Sequence, residues 1–307
     1  MNELQKNIIA TICYYDVLDY PLTSFEVWRH MIAYDDSRET TSPTVGEVVM
    51  MLGNTSLDKV IAQKNGFYFL HDREILVTER LRRNRISINK LRRLRHFAGI
   101  MRYMPFVRAI LVTGRLAMQQ ADQESDLDVL VILKGGHIWV GRAAITALLQ
   151  VLGVRKHGNK HRDHVCLNYY ITDNALTVPT QDRFAAHEYG WTFPLFGWET
   201  FQEFQRANMW MQSYTPQFRV TEIPHGFCMQ DHVVSRSIRI VGEFFCKWSF
   251  FENKMRSLQK GKIDANPNTH LEDANIIAND KHLVFLPKPH SPRVEKGYQE
   301  TKTTVLG

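Results

Sequence analysis

Asp126 and Asp128 stand one residue apart in the run Ser125-Asp126-Leu127-Asp128-Val129, and their types and spacing suit a metal-carboxylate centre. On a strand, residues two apart project from one face, so both carboxylates would meet at one point while Leu127 and Val129 turn into the core. Hard oxygen donors gathered this way suit Mg²⁺, which keeps its other positions for water and substrate phosphates. The competing reading is a loop-to-strand junction with solvated or capping aspartates. Two acids at the head of a buried strand are costly without a cation or donors, which favours the metal. Upstream, Leu111-Val112-Thr113-Gly114 reads as a strand ending in a glycine turn, where backbone N–H groups can approach an anion closely. Arg142, on the next helix, can contact phosphates or simply be solvated.

The segment 111–132 resembles the nucleotidyltransferase superfamily typified by DNA polymerase beta. That signature is a hydrophobic residue, Gly, then Gly or Ser, a gap, and Asp-hydrophobic-Asp or Glu. Here Gly114 and Arg115 are followed by ten residues and then Asp126-Leu127-Asp128-Val129. The wider stretch, from Pro105-Phe106-Val107 through Ile132 to Cys166-Leu167-Asn168-Tyr169-Tyr170, is similar to bacterial nucleotidyltransferase-domain proteins with an N-terminal helical, winged-helix-like module. The resemblance implies Mg-dependent transfer of a nucleoside monophosphate from a nucleoside triphosphate to an acceptor. Asp126 and Asp128 would be the catalytic metal ligands at a two-metal site, with Gly114, Arg115, Ser125 and Arg142 toward the nucleotide. The acceptor stays open among RNA, a small molecule and a protein hydroxyl. Two positions depart from the family pattern. Arg115 replaces Gly or Ser, and Asn168 lies where a third carboxylate is expected, with Asp163 and Asp173 only at the ends of that strand. Asn cannot act as a general base. A degenerate nucleotidyltransferase fold serving as a nucleic-acid-binding or regulatory protein is therefore the alternative.

The elements around this constellation predict an α/β (α+β) fold: a mixed sheet flanked by helices, an N-terminal winged helix-turn-helix-like module and a helical C-terminal region. Residues 1–75 read as helices followed by a hairpin. Thr23 with Glu26 and Thr44 with Glu47 mark helix starts, the second helix is expected to reach about residue 34, and Asn65-Gly66 marks a tight turn. Residues 35–41 read as a polar connection. The third helix, 44–53, carries Glu47 and no Lys or Arg, so the module either binds DNA or docks on protein. Residues 76–104 form one long basic helix and 105–180 the nucleotidyltransferase-like core. Helices follow over 181–258, including one spanning 233–258, and then a polar, partly disordered tail, 259–307.

The chain of 307 residues carries a net charge of +6, and nine cations with no acid lie between Arg80 and Arg102. This stripe, 80–102, would suit RNA or DNA, or form a solvated helix face. No apolar run is long enough for a membrane span, and no membrane partner is expected. Four scattered cysteines and the absence of a leader pattern suggest a cytoplasmic protein. His157, His161 and His164 fall in a basic loop with Lys156 and Lys160, where neighbouring cations disfavour a metal. The aromatic-rich helices, with Phe244, Phe245, Trp248, Phe250 and Phe251, are expected to pack a core or an interface.

Overall fold

The computed structural model describes residues 1–34, 42–155 and 162–306. The connection 35–41 and the residues Lys156, His157, Lys160 and His161 lie outside the described residues.

The chain opens with α1 (Glu3–Val17), β1 (Leu22–Thr23), α2 (Ser24–Arg29), α3 (Val45–Leu52), β2 (Ile61–Lys64) and β3 (Phe67–Leu70). Reciprocal capping boxes start all three helices, through Asn2 and Gln5, Thr23 and Glu26, and Thr44 and Glu47. Each box satisfies N–H groups that a helix start leaves without partners. Asn65 and Gly66 take φ values of 53° and 80°, the left-handed pair that a tight hairpin needs. The strands form a small antiparallel sheet in the order β1-β3-β2. α2 stops short of residue 34 because α1 side chains take over its backbone: Ile32 N–H donates to Thr11 Oγ1 at 2.9 Å and Tyr34 N–H to Asn7 Oδ1 at 2.8 Å.

The long helix α4 (Ile75–Met101) leads into β4 (Val107–Val112), α5 (Gly114–Ala117), β5 (Leu127–Leu133), α6 (Ile138–Val151) and β6 (Val165–Thr172). α7 (Arg183–Gly190), β7 (Phe193–Phe196) and α8 (Trp198–Ala207) follow, then α9 (Val233–Cys246) and α10 (Ser249–Asp264). The chain ends with β8 (Asn275–Ala278), β9 (His282–Leu286) and α11 (Ser291–Leu306). The main sheet is mixed, in the order β7-β4-β5-β6-β9-β8, with β5 and β6 parallel around the α6 crossover. Strand alternation separates its faces. Val129, Val131 and Leu133 join the core formed with α4 and α6, whereas Leu130 and Ile132 join the one formed with α7 and α8.

Three expectations need correction. The segment 233–258 is broken at Lys247-Trp248 into α9 and α10 rather than forming one helix. β7 was hidden by Pro194, which a strand accommodates at a sheet edge. The tail after 259 is ordered: β9 pairs with β6 in the main sheet, and Val294 and Tyr298 of α11 are buried with α1 in the N-terminal core. Its local polarity does not reveal partners more than a hundred residues upstream. No helix among the described residues is long and apolar enough to cross a membrane.

Candidate metal and phosphate site

Asp126 ends the loop before β5, Asp128 is the second residue of that strand, and both side chains are half-buried. A carboxylate oxygen from each lies within 4.8 Å of the other and of Cys166 Sγ, on the neighbouring strand β6. Asp128 pairs with Cys166, and an irregularity follows in the ladder. Asn168 Nδ2 donates to Asp128 Oδ1 at 3.4 Å. Gly114 presses against the same carboxylate. Its φ is 62°, and a Cβ there would lie 3.2 Å from Asp128 Oδ2. The glycine of the signature is thus in contact with its second aspartate. Two carboxylates at one point fit a single hard cation; the third donor in the cluster is a thiol, a soft ligand unsuited to Mg²⁺.

The loop before Asp126 is held from below by α4. Buried Lys90 donates from Nζ to Asp163 Oδ1 at 2.6 Å, to Ser125 O at 2.8 Å and to Gln123 O at 3.1 Å. Ser87 Oγ accepts from Ala121 N–H at 3.0 Å. Asp163, at the head of β6, thereby serves the ion pair with Lys90, with Arg93 at 3.5 Å. Asp173, past the other end of the strand, accepts from Gly135 N–H at 2.8 Å.

Arg115 and Ser125 also shape this loop. Arg115 reaches Asp122 at 3.1 Å, and the Ser125 hydroxyl donates to the same side chain at 3.0 Å. Burial alone would raise the Asp122 carboxyl, but the Ser125 hydrogen bond and the Arg115 charge bring it below its usual range. Arg142 lies elsewhere, on the wall of a cleft of about 690 Å³ between α6, α10 and β6, with Arg155 and Lys262. Its guanidinium bonds Gln259 and lies 4.7 Å from the Phe285 ring, and burial lowers its pKa. Cys166 and Asn168 line this cleft and also belong to the carboxylate corner, so the two regions adjoin.

Two residues went unnoticed in the sequence. Glu188, on α7, is pushed up to about 7 by burial, with the charges of Asp128 and Asp182 adding to the shift. No spacing pattern singles it out. Lys90 carried a usable signal: it sits on the buried stripe of α4 that continues through Leu94, Phe97 and Met101, where a cation needs a partner.

The basic stripe is partly spent on structure. Arg80 is buried, pairs with Glu26 at 2.7 Å and stacks 3.6 Å from the centre of the Tyr20 ring. Arg95 and Arg102 donate to the carbonyls of Phe227 and Gln230. Arg85 and Arg92 face solvent. The N-terminal unit docks on the rest of the chain: Trp191 Nε1 donates to Tyr15 Oη at 2.9 Å, and that hydroxyl meets His187 Nδ1 at 3.0 Å. Burial holds His187 down at about 3. α3 exposes Val45, Val49 and Met50 instead of cations. Compared with known proteins, the chain matches no family model, no curated protein and no solved structure.

Proposed function

We propose that the protein is a Mg-dependent nucleotidyltransferase that moves a nucleoside monophosphate from a nucleoside triphosphate to a hydroxyl acceptor and releases pyrophosphate. The observation that carries this reading is the convergence of Asp126 and Asp128, with the Gly114 turn close beside Asp128. Asp126 and Asp128 would hold Mg²⁺, which supplies charge neutralisation at the phosphates. Asn168 orients Asp128, and Lys90 fixes the loop that delivers Asp126. Arg142, Arg155 and Lys262 give the adjoining cleft a positive wall for an anionic part of the substrates. The acceptor oxygen would attack the α-phosphorus as the bond to pyrophosphate breaks, the hydroxyl proton passing to solvent. We read the N-terminal unit as a winged helix used for docking rather than for reading DNA, since α3 presents no cation. Free thiols and a triphosphate substrate favour a cytoplasmic setting.

The second reading is a degenerate fold that binds nucleic acid, and it is favoured by Cys166 and Asn168 in place of a third carboxylate. The test is incubation with each α-³²P nucleoside triphosphate, Mg²⁺ and total RNA or cell extract, beside Asp126→Asn/Asp128→Asn. Label transfer that falls at least about a hundredfold in the variant supports the enzyme. Equal silence from both proteins, with salt-dependent RNA binding by the wild type, supports the second reading.

A further inference from the structure

α9 is amphipathic with its sides exchanged. The face turned toward the protein is polar: Arg239 donates to Arg102 O at 2.8 Å and to Asp231 at 2.6 Å, Ser235 donates to Asp231 at 2.6 Å, and Glu243 accepts from Arg108 at 2.8 Å. The face turned outward is apolar. Val233, Val234, Ile238, Ile240, Val241, Phe244 and Phe245 are exposed, and the surface continues over the joint to α10 through Trp248, Phe250 and Phe251, all between 41% and 81% accessible. At the helical repeat, the apolar residues from 233 to 248 span an arc of about 160°, interrupted only by Ser237. An exposed apolar patch of this kind marks a surface that another body covers.

Cations flank it, one of them, Arg236, paired with Asp231 at 3.6 Å. Lys247 lies 4.4 Å from the Phe244 ring centre, Lys254 lies 5.9 Å from that of Phe250, and Arg236 flanks the first turn. Two acids of these helices turn inward, Glu243 to Arg108 and Glu252 to the N–H groups of Trp139 and Val140 at 2.9 and 3.0 Å, whereas Asp264 at the far end of α10 is exposed. α9 abuts the end of the basic helix α4 through the bond from Arg239 to the Arg102 carbonyl.

We propose that the outward face of α9 and its aromatic joint with α10 seat the protein on an anionic phospholipid surface. The apolar arc is wider than the narrow seam two helices share, and it matches a helix lying in the interfacial plane. Lys247 and Lys254 beside the aromatic joint would repel their own copies across a two-fold axis, whereas they complement anionic headgroups. Phe and Trp beside Lys are the residue types that partition into the headgroup boundary. The inference revises the expectation of no membrane partner, and it stands independently of the nucleotidyltransferase reading.

The test is co-flotation of the whole chain with vesicles of phosphatidylcholine alone and of an equimolar phosphatidylcholine–phosphatidylglycerol mixture. The expected result is binding about tenfold or more stronger to the anionic vesicles, weakened by salt. Phe244→Ser/Phe245→Ser/Trp248→Ser should lower binding about tenfold or more with an unchanged circular dichroism spectrum, because these side chains are mostly exposed in the fold. Lys247→Glu/Lys254→Glu should remove the preference for anionic vesicles. Equal affinity of wild type and triple variant for anionic vesicles would overturn the proposal. So would a wild-type dimer in light scattering that the triple variant converts to monomer, since the covering body would then be a second copy.

Discussion

At the head of β5 the fold turns charge inward and gives it partners; along α9 it turns apolar side chains outward and gives them none. Lys90, Asp163 and the carbonyls of Gln123 and Ser125 form a closed set of donors and acceptors beneath the loop that ends at Asp126. Val234, Ile238, Val241, Phe245 and Trp248 share a surface that no part of the described chain covers. Burying a charge is tolerable only when its partners are present, so the first region is complete within one chain. Exposing apolar area wastes the main driving force of folding, so the second region is complete only with something outside the chain.

That contrast gives an ordered set of expected effects on folding. Lys90→Met should be the most damaging. It leaves Asp163 without its nearest cation, removes the Gln123 carbonyl's donor and leaves the Ser125 carbonyl only the Asp163 N–H at 3.3 Å, and unfolding in urea should show a loss of about 3 kcal/mol together with weakened Mg²⁺ binding. If stability holds, the loop is not supported from below and the contrast fails.

Acidification should come next, through the seam where α1 meets α7. Trp191 donates to the Tyr15 hydroxyl, which is hydrogen-bonded to His187 Nδ1, and protonating this buried imidazole would place a charge in the seam. The folded pKa is held at about 3, below the ordinary value of 6.5. The unfolded chain therefore binds more protons between these values, and stability is full above pH 6.5 and falls as pH drops toward 3. His187 alone should cost about 2 kcal/mol on going from pH 8 to pH 5, and His30, also lowered by burial, adds in the same direction. His187→Gln should flatten the pH dependence of the urea midpoint.

Gly114→Ala should cost about 1 to 2 kcal/mol, because an L-residue is strained at φ 62°. Its added methyl would also crowd Asp128 Oδ2, so a titration with Mn²⁺ should show a weaker midpoint than in the wild type. The smallest effect belongs to the opposite region. Phe244→Ser/Phe245→Ser should change the urea midpoint by no more than about 0.5 kcal/mol, because exposed side chains contribute little to folding. A large loss there would mean that the face is part of the core after all.

Much of the corner was readable before its geometry was known. The spacing of Asp126 and Asp128 at the head of an apolar run brings the two carboxylates together, although Asp126 ends the loop and only Asp128 stands on the strand, and the glycine turn upstream lies beside Asp128. The capping boxes and the Asn65-Gly66 turn were legible for the same reason: each is satisfied within a few residues. Lys90 could be seen as a cation on an apolar stripe but its partner Asp163, 73 residues away, could not, and nothing local marked Glu188. β9 was visible only as a short apolar run, Leu283 to Leu286, in a polar tail; its pairing with β6 is a non-local event.

The sequence by itself determined where the capped N-terminal helices begin, where the hairpin turns and that two carboxylates stand two residues apart at the head of a strand, since these follow from backbone sterics and local hydrogen bonding. Only the tertiary structure decided which face each element buries. A periodic pattern states that α9 has two unlike sides, and the long-range contacts of Arg239 with Arg102 and of Glu243 with Arg108 turned the apolar one outward. The same selection by distant partners turned Lys90 inward beneath the loop that carries Asp126.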